Sequence, residues 1–195
     1  ANNALTNLNG LDNGLVQLGS FGLKNNTSLA RLPDLPGILV LNGSLDIENN
    51  NGLTQLGGLR ELTGAGSVLI SGNSMLTSMA GLKKLKTVSQ SLTIRYNQAL
   101  ANLIGFGNVE TTTPYVVITD NPLLSTCGIP WLCLHLGASK PVSISGNNSG
   151  CTSMSEISAS CAGMPITEII TFSASRVPGT PSDLYKVQLS WELAN

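Results

Sequence analysis

The side chains that could do chemistry are few, and their spacing decides what they can be. The chain of 195 residues holds eleven carboxylates, ten Lys and Arg residues, one histidine and four cysteines. His135 is the only imidazole, so no nucleophile–histidine–acid set can be drawn. Asp46 and Glu48 stand two apart, which on a strand puts both carboxylates on one face. A two-carboxylate glycosidase needs a defined separation across a substrate groove. The equivalent positions one and two repeats on are Leu69 and Ser71, then Thr93 and Arg95, so the acidic pair does not recur. These residues point to a non-catalytic chain without a cofactor or bound metal. Cys127, Cys133, Cys151 and Cys161 include no CxxC pair, and the chain has a single histidine, which disfavours zinc. Clustered in a Ser-, Thr- and Gly-rich chain, they read as two disulfides made in an oxidising compartment, hence a secreted or cell-surface protein.

Composition narrows the rest. Charged residues are 11% and the net charge is −1, a balance that draws the chain neither to nucleic acid nor to an anionic membrane. The cluster Lys83, Lys84 and Lys86 reads as a solvated edge. No apolar run is long enough to cross a bilayer. Aromatics are only 4% against 42% apolar residues, so aliphatic side chains must fill the core.

The elements that position these residues come from a repeat. The segments SLDIENNNGLTQLGGL, SVLISGNSMLTSMAGL, SLTIRYNQALANLIGF and YVVITDNPLLSTCGIP start at Ser44, Ser67, Ser91 and Tyr115. An asparagine fixes their register at Asn2, Asn26, Asn50, Asn73, Asn97, Asn121 and Asn147, in steps of 24, 24, 23, 24, 24 and 26 residues. A period of this size marks a stacked repeat architecture. Ahead of each asparagine from Asn26 on stands an apolar pair two apart: Phe21/Leu23, Leu45/Ile47, Val68/Ile70, Leu92/Ile94, Val116/Ile118 and Val142/Ile144. That alternation predicts a short strand with those side chains inside. Asn26, Asn50, Asn73, Asn97, Asn121 and Asn147 are expected to form an inner ladder, because an amide can both donate to and accept from the backbone of a turn. Further leucine rows follow, one of them Leu11, Leu35, Leu59, Leu82 and Phe106; Gly10, Gly58, Gly81 and Gly105 precede its members at expected bends. The outward positions Asp46, Glu48, Leu69, Thr93, Arg95, Tyr115, Val117 and Thr119 form the candidate binding face for a protein or glycan. Three other readings stand beside it: a structural spacer, a β-helix carbohydrate-active enzyme, and an ice-binding face. The last lacks a regular Thr array. The N-x-S/T sequons at Asn25, Asn26, Asn42 and Asn147 are read as incidental.

SLTIRYNQALANLIGF and SVLISGNSMLTSMAGLKKLKTV resemble the receptor L domain, the leucine-rich β-helix of growth-factor and insulin-type receptor ectodomains, with similar coils in fungal wall and bacterial surface proteins. The resemblance covers residues 1–161 and implies a mainly β, right-handed solenoid of coils about 24 residues long, used for binding or as a spacer. The segment from Cys127-Gly-Ile-Pro-Trp131-Leu-Cys133 through Cys151 to Cys161 looks like the cysteine cap of the bacterial branch, over residues 122–161, with Trp131 to Leu136 as a short capping helix. Cys127 and Cys151 fall near one corner of successive coils, which favours Cys127–Cys151 with Cys133–Cys161. The pairing Cys127–Cys133 with Cys151–Cys161 stays open. Residues 162–195 lose the period and read as a linker and two strands around a turn at Pro178–Asp183. Their stretch KVQLSWELAN resembles the early strands of a fibronectin- or immunoglobulin-like sandwich, which implies a truncated module; a hairpin docked on the solenoid is the alternative.

Overall fold

A computed structural model describes residues 2–11, 18–110, 115–138 and 140–162, and the backbone of two further strands at Phe172–Arg176 and Tyr185–Leu189. The chain divides into two compact units, Ala1–Gly163 and Met164–Asn195.

Unit one is built on a six-stranded sheet in chain order: β1 (Phe21–Lys24), β2 (Val40–Glu48), β3 (Gly64–Ser71), β4 (Thr87–Arg95), β5 (Tyr115–Thr119) and β6 (Val142–Ser145). Every neighbour pair is parallel. The register aligns the predicted apolar pairs in two columns. One runs Phe21, Leu45, Val68, Leu92, Val116, Val142; the other runs Leu23, Ile47, Ile70, Ile94, Ile118, Ile144. Each repeat thus lays one rung beside the last, and the columns are buried until the final rung, where Val142 and Ile144 are half-buried. Behind the strands the chain returns through leucine rows. Leu53, Leu56, Leu59 and Leu62 of a single repeat are all fully buried. No repeat could bury these residues alone, so the core exists only between repeats.

The turn after each strand carries the ladder. The backbone N–H of Asn26, Asn50, Asn73, Asn97 and Asn121 donates to the side-chain oxygen of the next ladder asparagine at 3.0–3.1 Å. In the other direction the amide nitrogens of Asn50, Asn73, Asn97, Asn121 and Asn147 reach back to the carbonyls of Leu23, Ile47, Ile70, Ile94 and Ile118, at 2.8–3.1 Å. Asn26, Asn50, Asn73, Asn97 and Asn121 are buried, and Asn147 is half-buried at the last turn.

Three features differ from the sequence expectation. Asn2 is exposed, its side chain accepting among the described residues from the nearby Ala4 N–H, and Leu11 is 38% exposed. Both belong to the outermost repeat, which has no neighbour on its far side among the described residues. The strands β2, β3 and β4 begin earlier than the apolar pairs alone suggest, with register shifts after Leu41 and Ala65. The bends expected at Gly58, Gly81 and Gly105 do form, within short 3₁₀ turns at Gly57–Leu59, Ala80–Leu82 and Ile104–Phe106. A second helix, α2 (Met154–Cys161), follows the expected α1 (Pro130–Gly137).

The two helices cover the C-terminal end of the core. Pro130 opens α1 at a position where its missing N–H costs nothing, and Trp131, Leu132 and His135 are its buried side chains. Helix α2 is started by Ser153, whose hydroxyl accepts the Glu156 N–H, while Glu156 in turn accepts the N–H groups of Gly150 and Thr152 at 2.8 and 2.9 Å. Those donors hold the Glu156 carboxyl below its ordinary range. Disulfides join Cys127 to Cys151 and Cys133 to Cys161, closing separations of 24 and 28 residues. The first ties one repeat to the next, and the second ties α1 to α2.

Unit two pairs β7 (Phe172–Arg176) and β8 (Tyr185–Leu189) antiparallel, with Ala174 opposite Val187. The expected turn at Pro178–Asp183 and Trp191 lie outside the described residues.

Candidate functional site

The outward side of the sheet presents the alternate residues of each strand. One row aligns Gly22, Asp46, Leu69, Thr93, Val117 and Ser143, and the next aligns Lys24, Glu48, Ser71, Arg95, Thr119 and Ser145. A third brings Ser44, Ser67, Ser91 and Tyr115 side by side. Asp46, Leu69, Thr93, Val117 and Thr119 are half-buried by their neighbours, and Tyr115 is 50% exposed. The rungs keep these side chains at the strand spacing, roughly 4.8 Å apart.

The structure separates the predicted face into distinct places. At its first rungs Lys24 bridges both carboxylates, 2.7 Å from Glu48 and 3.3 Å from Asp46. The same two contacts, Glu48 first, raise the Lys24 ammonium above its ordinary range. Asp46 and Glu48 are therefore spent on a shared counter-ion within the fold. Tyr115 and Arg95 fall at opposite ends of the face, since Tyr115 opens β5 beside Ser91 while Arg95 closes β4 beside Thr119. Four residues of strand put roughly 13 Å between those two levels. Ser71, in the outward row, is buried to 6% exposure, and Arg95 Nε donates to its hydroxyl at 3.4 Å.

The aromatic group beside Arg95 is Tyr96, which sequence reasoning passed over. Its ring lies beneath the guanidinium at 5.6 Å, and it is 49% exposed. Tyr96 occupies the position just before a ladder asparagine. That position is left-handed in every described repeat: Asn25, Asn49, Gly72, Tyr96, Asp120 and Gly146 have φ of 58°, 55°, 69°, 57°, 57° and 65°. Asn, Asp and Gly tolerate that conformation, whereas a bulky side chain there is strained. Written as a column, these residues single out the tyrosine from the sequence alone.

Concave surface lies elsewhere. A cleft of about 640 Å³ runs between Asn108–Glu110 and α1, lined by Pro130, Trp131 and Leu134, with Lys86 and Glu110 paired at 2.9 Å on its wall. A second, of about 570 Å³, is lined by Arg31, Gln55, Lys83 and the Arg60–Asp34 ion pair.

His135 is fully buried in the cap, edge-on to Trp131 at 6.2 Å, with Nε2 3.5 Å from the Pro141 carbonyl. A carbonyl can only accept, so that contact places the proton on Nε2. Nδ1 has no partner among the described residues. Burial pushes the imidazole below its ordinary value, opposed by the Pro141 contact and aided by the Lys140 charge. The native state therefore holds His135 neutral. Its contribution to stability is complete above the unfolded value of about 6.5 and is lost as pH falls through the lower native value. Thermal melts of the parent chain should fall between pH 7 and pH 5.5, and His135→Leu should flatten that window. An unchanged slope in the variant would remove His135 as the cause.

No family model, curated protein or solved structure matches the chain.

Proposed function

We propose that residues 1–161 form a right-handed β-solenoid of the receptor L-domain kind, exported from the cell, that acts as a non-catalytic binding module for a protein or glycan. One observation carries this reading: the sheet buries its inner columns up to the last rung, and among the described residues no helix covers its outer side. A parallel sheet ordinarily has both faces covered by helices. Here the described helices sit at the end of the stack, and Asp46, Leu69, Thr93, Val117 and Thr119 remain partly open to solvent. A regular, rigid, hydroxyl-bearing surface is suited to contact rather than to turnover. The Lys24 bridge ties up the one close carboxylate pair, and His135 is sealed in the cap. Two disulfides in the cap fit an oxidising compartment. Among the described residues no helix is long and apolar enough to cross a membrane. Residues 162–195, with their antiparallel β7–β8 pair, are read as a linker and the first strands of a sandwich-like module.

The test is a binding screen of the whole chain against glycans and cell surfaces, repeated with Thr93→Glu and Val117→Glu together. These positions carry no core contact of the inner columns, so the fold should survive. Any ligand of the face should bind at least tenfold more weakly. Undiminished binding would place the site elsewhere, and a parent chain that binds nothing would make the module a spacer.

A further inference from the structure

We infer that Arg95 and Tyr96 form the recognition point of this face, and that the group recognised is the carboxylate of an acidic saccharide. The inference rests on the binding-face reading and gives it a ligand class.

The first ground is charge. Lys24, the other cation of the outward rows, is neutralised by Asp46 and Glu48. Arg95 has no carboxylate in ion-pair range among the described residues. Among the described residues its side chain makes one hydrogen bond, from Nε to Ser71 at 3.4 Å, and its guanidinium carbon lies over the Tyr96 ring at 5.6 Å. Both contacts hold the guanidinium near the ring. The remaining N–H groups form a fork matched to a carboxylate in bidentate geometry. The nearest acidic residue by register is Asp120, beyond Thr119. Its carboxylate leans over Gly146 of the following repeat, on the side away from Tyr96.

The second ground is conformation. A tyrosine at φ 57° carries strain that Asn or Gly would remove, and the other described repeats have Asn, Asp or Gly at this position. Backbone geometry does not account for the residue; an exposed ring beside a held guanidinium does. The preceding repeat has Gly72 there, with no side chain to cover the ring from that direction.

The third ground is the surrounding surface. Thr93, Thr119 and Ser145 offer hydroxyls in the adjoining positions of the two rows. The core of a protein interface is largely apolar, and here only Leu69 and Val117, separated by Thr93, are apolar in their row. A sugar ring needs an aromatic platform for its C–H face, hydroxyl partners around it and, if acidic, one cation.

The experiment measures affinity of the full chain for hexuronate and sialate oligosaccharides, for their methyl esters, and for polyglutamate. One or both free acids should bind, which identifies the source of the carboxylate. Esterification, Arg95→Gln and Tyr96→Asn should each weaken binding at least tenfold. Tyr96→Asn should also melt no lower than the parent, since asparagine suits the left-handed turn, so its weaker binding cannot be blamed on unfolding. Equal binding of acid and ester, or full affinity in Tyr96→Asn, would overturn the inference. So would binding of polyglutamate in place of the saccharides. If a neutral glycan binds and responds only to Thr93→Glu with Val117→Glu, the inference fails while the face stands. If no ligand of any kind binds the parent chain, both fail.

Discussion

Replacing Asn97 by alanine should cost the fold about 2–6 kcal/mol, the loss of two or more buried hydrogen-bonding groups at 1–3 kcal/mol each. The Asn97 side chain accepts from the backbone and side-chain N–H groups of Asn73, at 3.1 and 3.2 Å. It donates to the carbonyls of Ile70 and Arg95, both at 3.0 Å. Alanine removes all of these at once in a turn that water does not reach, since Asn73, Asn97 and Asn121 are fully buried. Asn26→Ala is the internal comparison. Its side chain donates to Lys24 and to Asn50, but no described repeat beneath it depends on its oxygen. It should cost clearly less. Urea denaturation of both variants measures the difference. A loss below about 1 kcal/mol for Asn97→Ala, the size of a single ordinary hydrogen bond, would mean that the ladder does not hold the repeats together. Asn97→Asp adds a further check. An ionised aspartate keeps the acceptor but cannot donate, and it buries a charge, so it should be the least stable of the set at pH 7 and recover in part on acidification.

The ladder was legible because chemistry and period coincide in it: one residue type, able to satisfy a turn in both directions, returns at nearly constant spacing. The apolar pairs were legible for the same reason, since each stands at a fixed distance from its asparagine. Other features escaped because no single residue type marks them. The buried row Ile38, Leu62, Leu85 and Val109 keeps the period but mixes side chains, and it sits where the early halves of β2, β3 and β4 begin. The bulges after Leu41 and Ala65 break the alternation that would have announced those halves. Helix α2 did carry a readable signal, Ser153 followed three residues on by Glu156, which is a capping box. It was masked by the low apolar content of the segment. For the face, the register placed its rows, but proximity within the rows depends on which end of each strand a residue occupies. That is why Tyr115 and Arg95 are apart and Tyr96 is near. Tyr96 stands out in its column by residue type alone, and the left-handed φ adds that the exception is strained.

The largest expected effect after the ladder comes from a single methyl group at Gly81. A β-carbon there would overlap the carbonyl of Leu56 in the preceding repeat. Gly105 stands in the same relation to Met79, and Gly58 to Pro33. At these 3₁₀ turns successive repeats touch backbone to backbone, and glycine is required for that approach rather than for a bend. The obstacle is a main-chain carbonyl, so no side chain can rotate aside. Relief must come from moving two repeats apart, and that would stretch the sheet rungs and the ladder they share. Gly81→Ala should therefore destabilise by about 3 kcal/mol, the upper part of the range for overpacked cores. For a chain of this length that corresponds to roughly 6–12 °C in melting temperature. Gly57→Ala is the matched control: its β-carbon would meet nothing closer than the Gln55 amide oxygen at 4.0 Å. Alanine there reduces the freedom of the unfolded chain and should be neutral or stabilising by up to about 1 kcal/mol. The pair isolates packing between repeats from glycine's own flexibility. Equal melting temperatures for the two variants would show that the repeats are not held in backbone contact, and the rigid spacing on which the outer face depends would lose its physical basis.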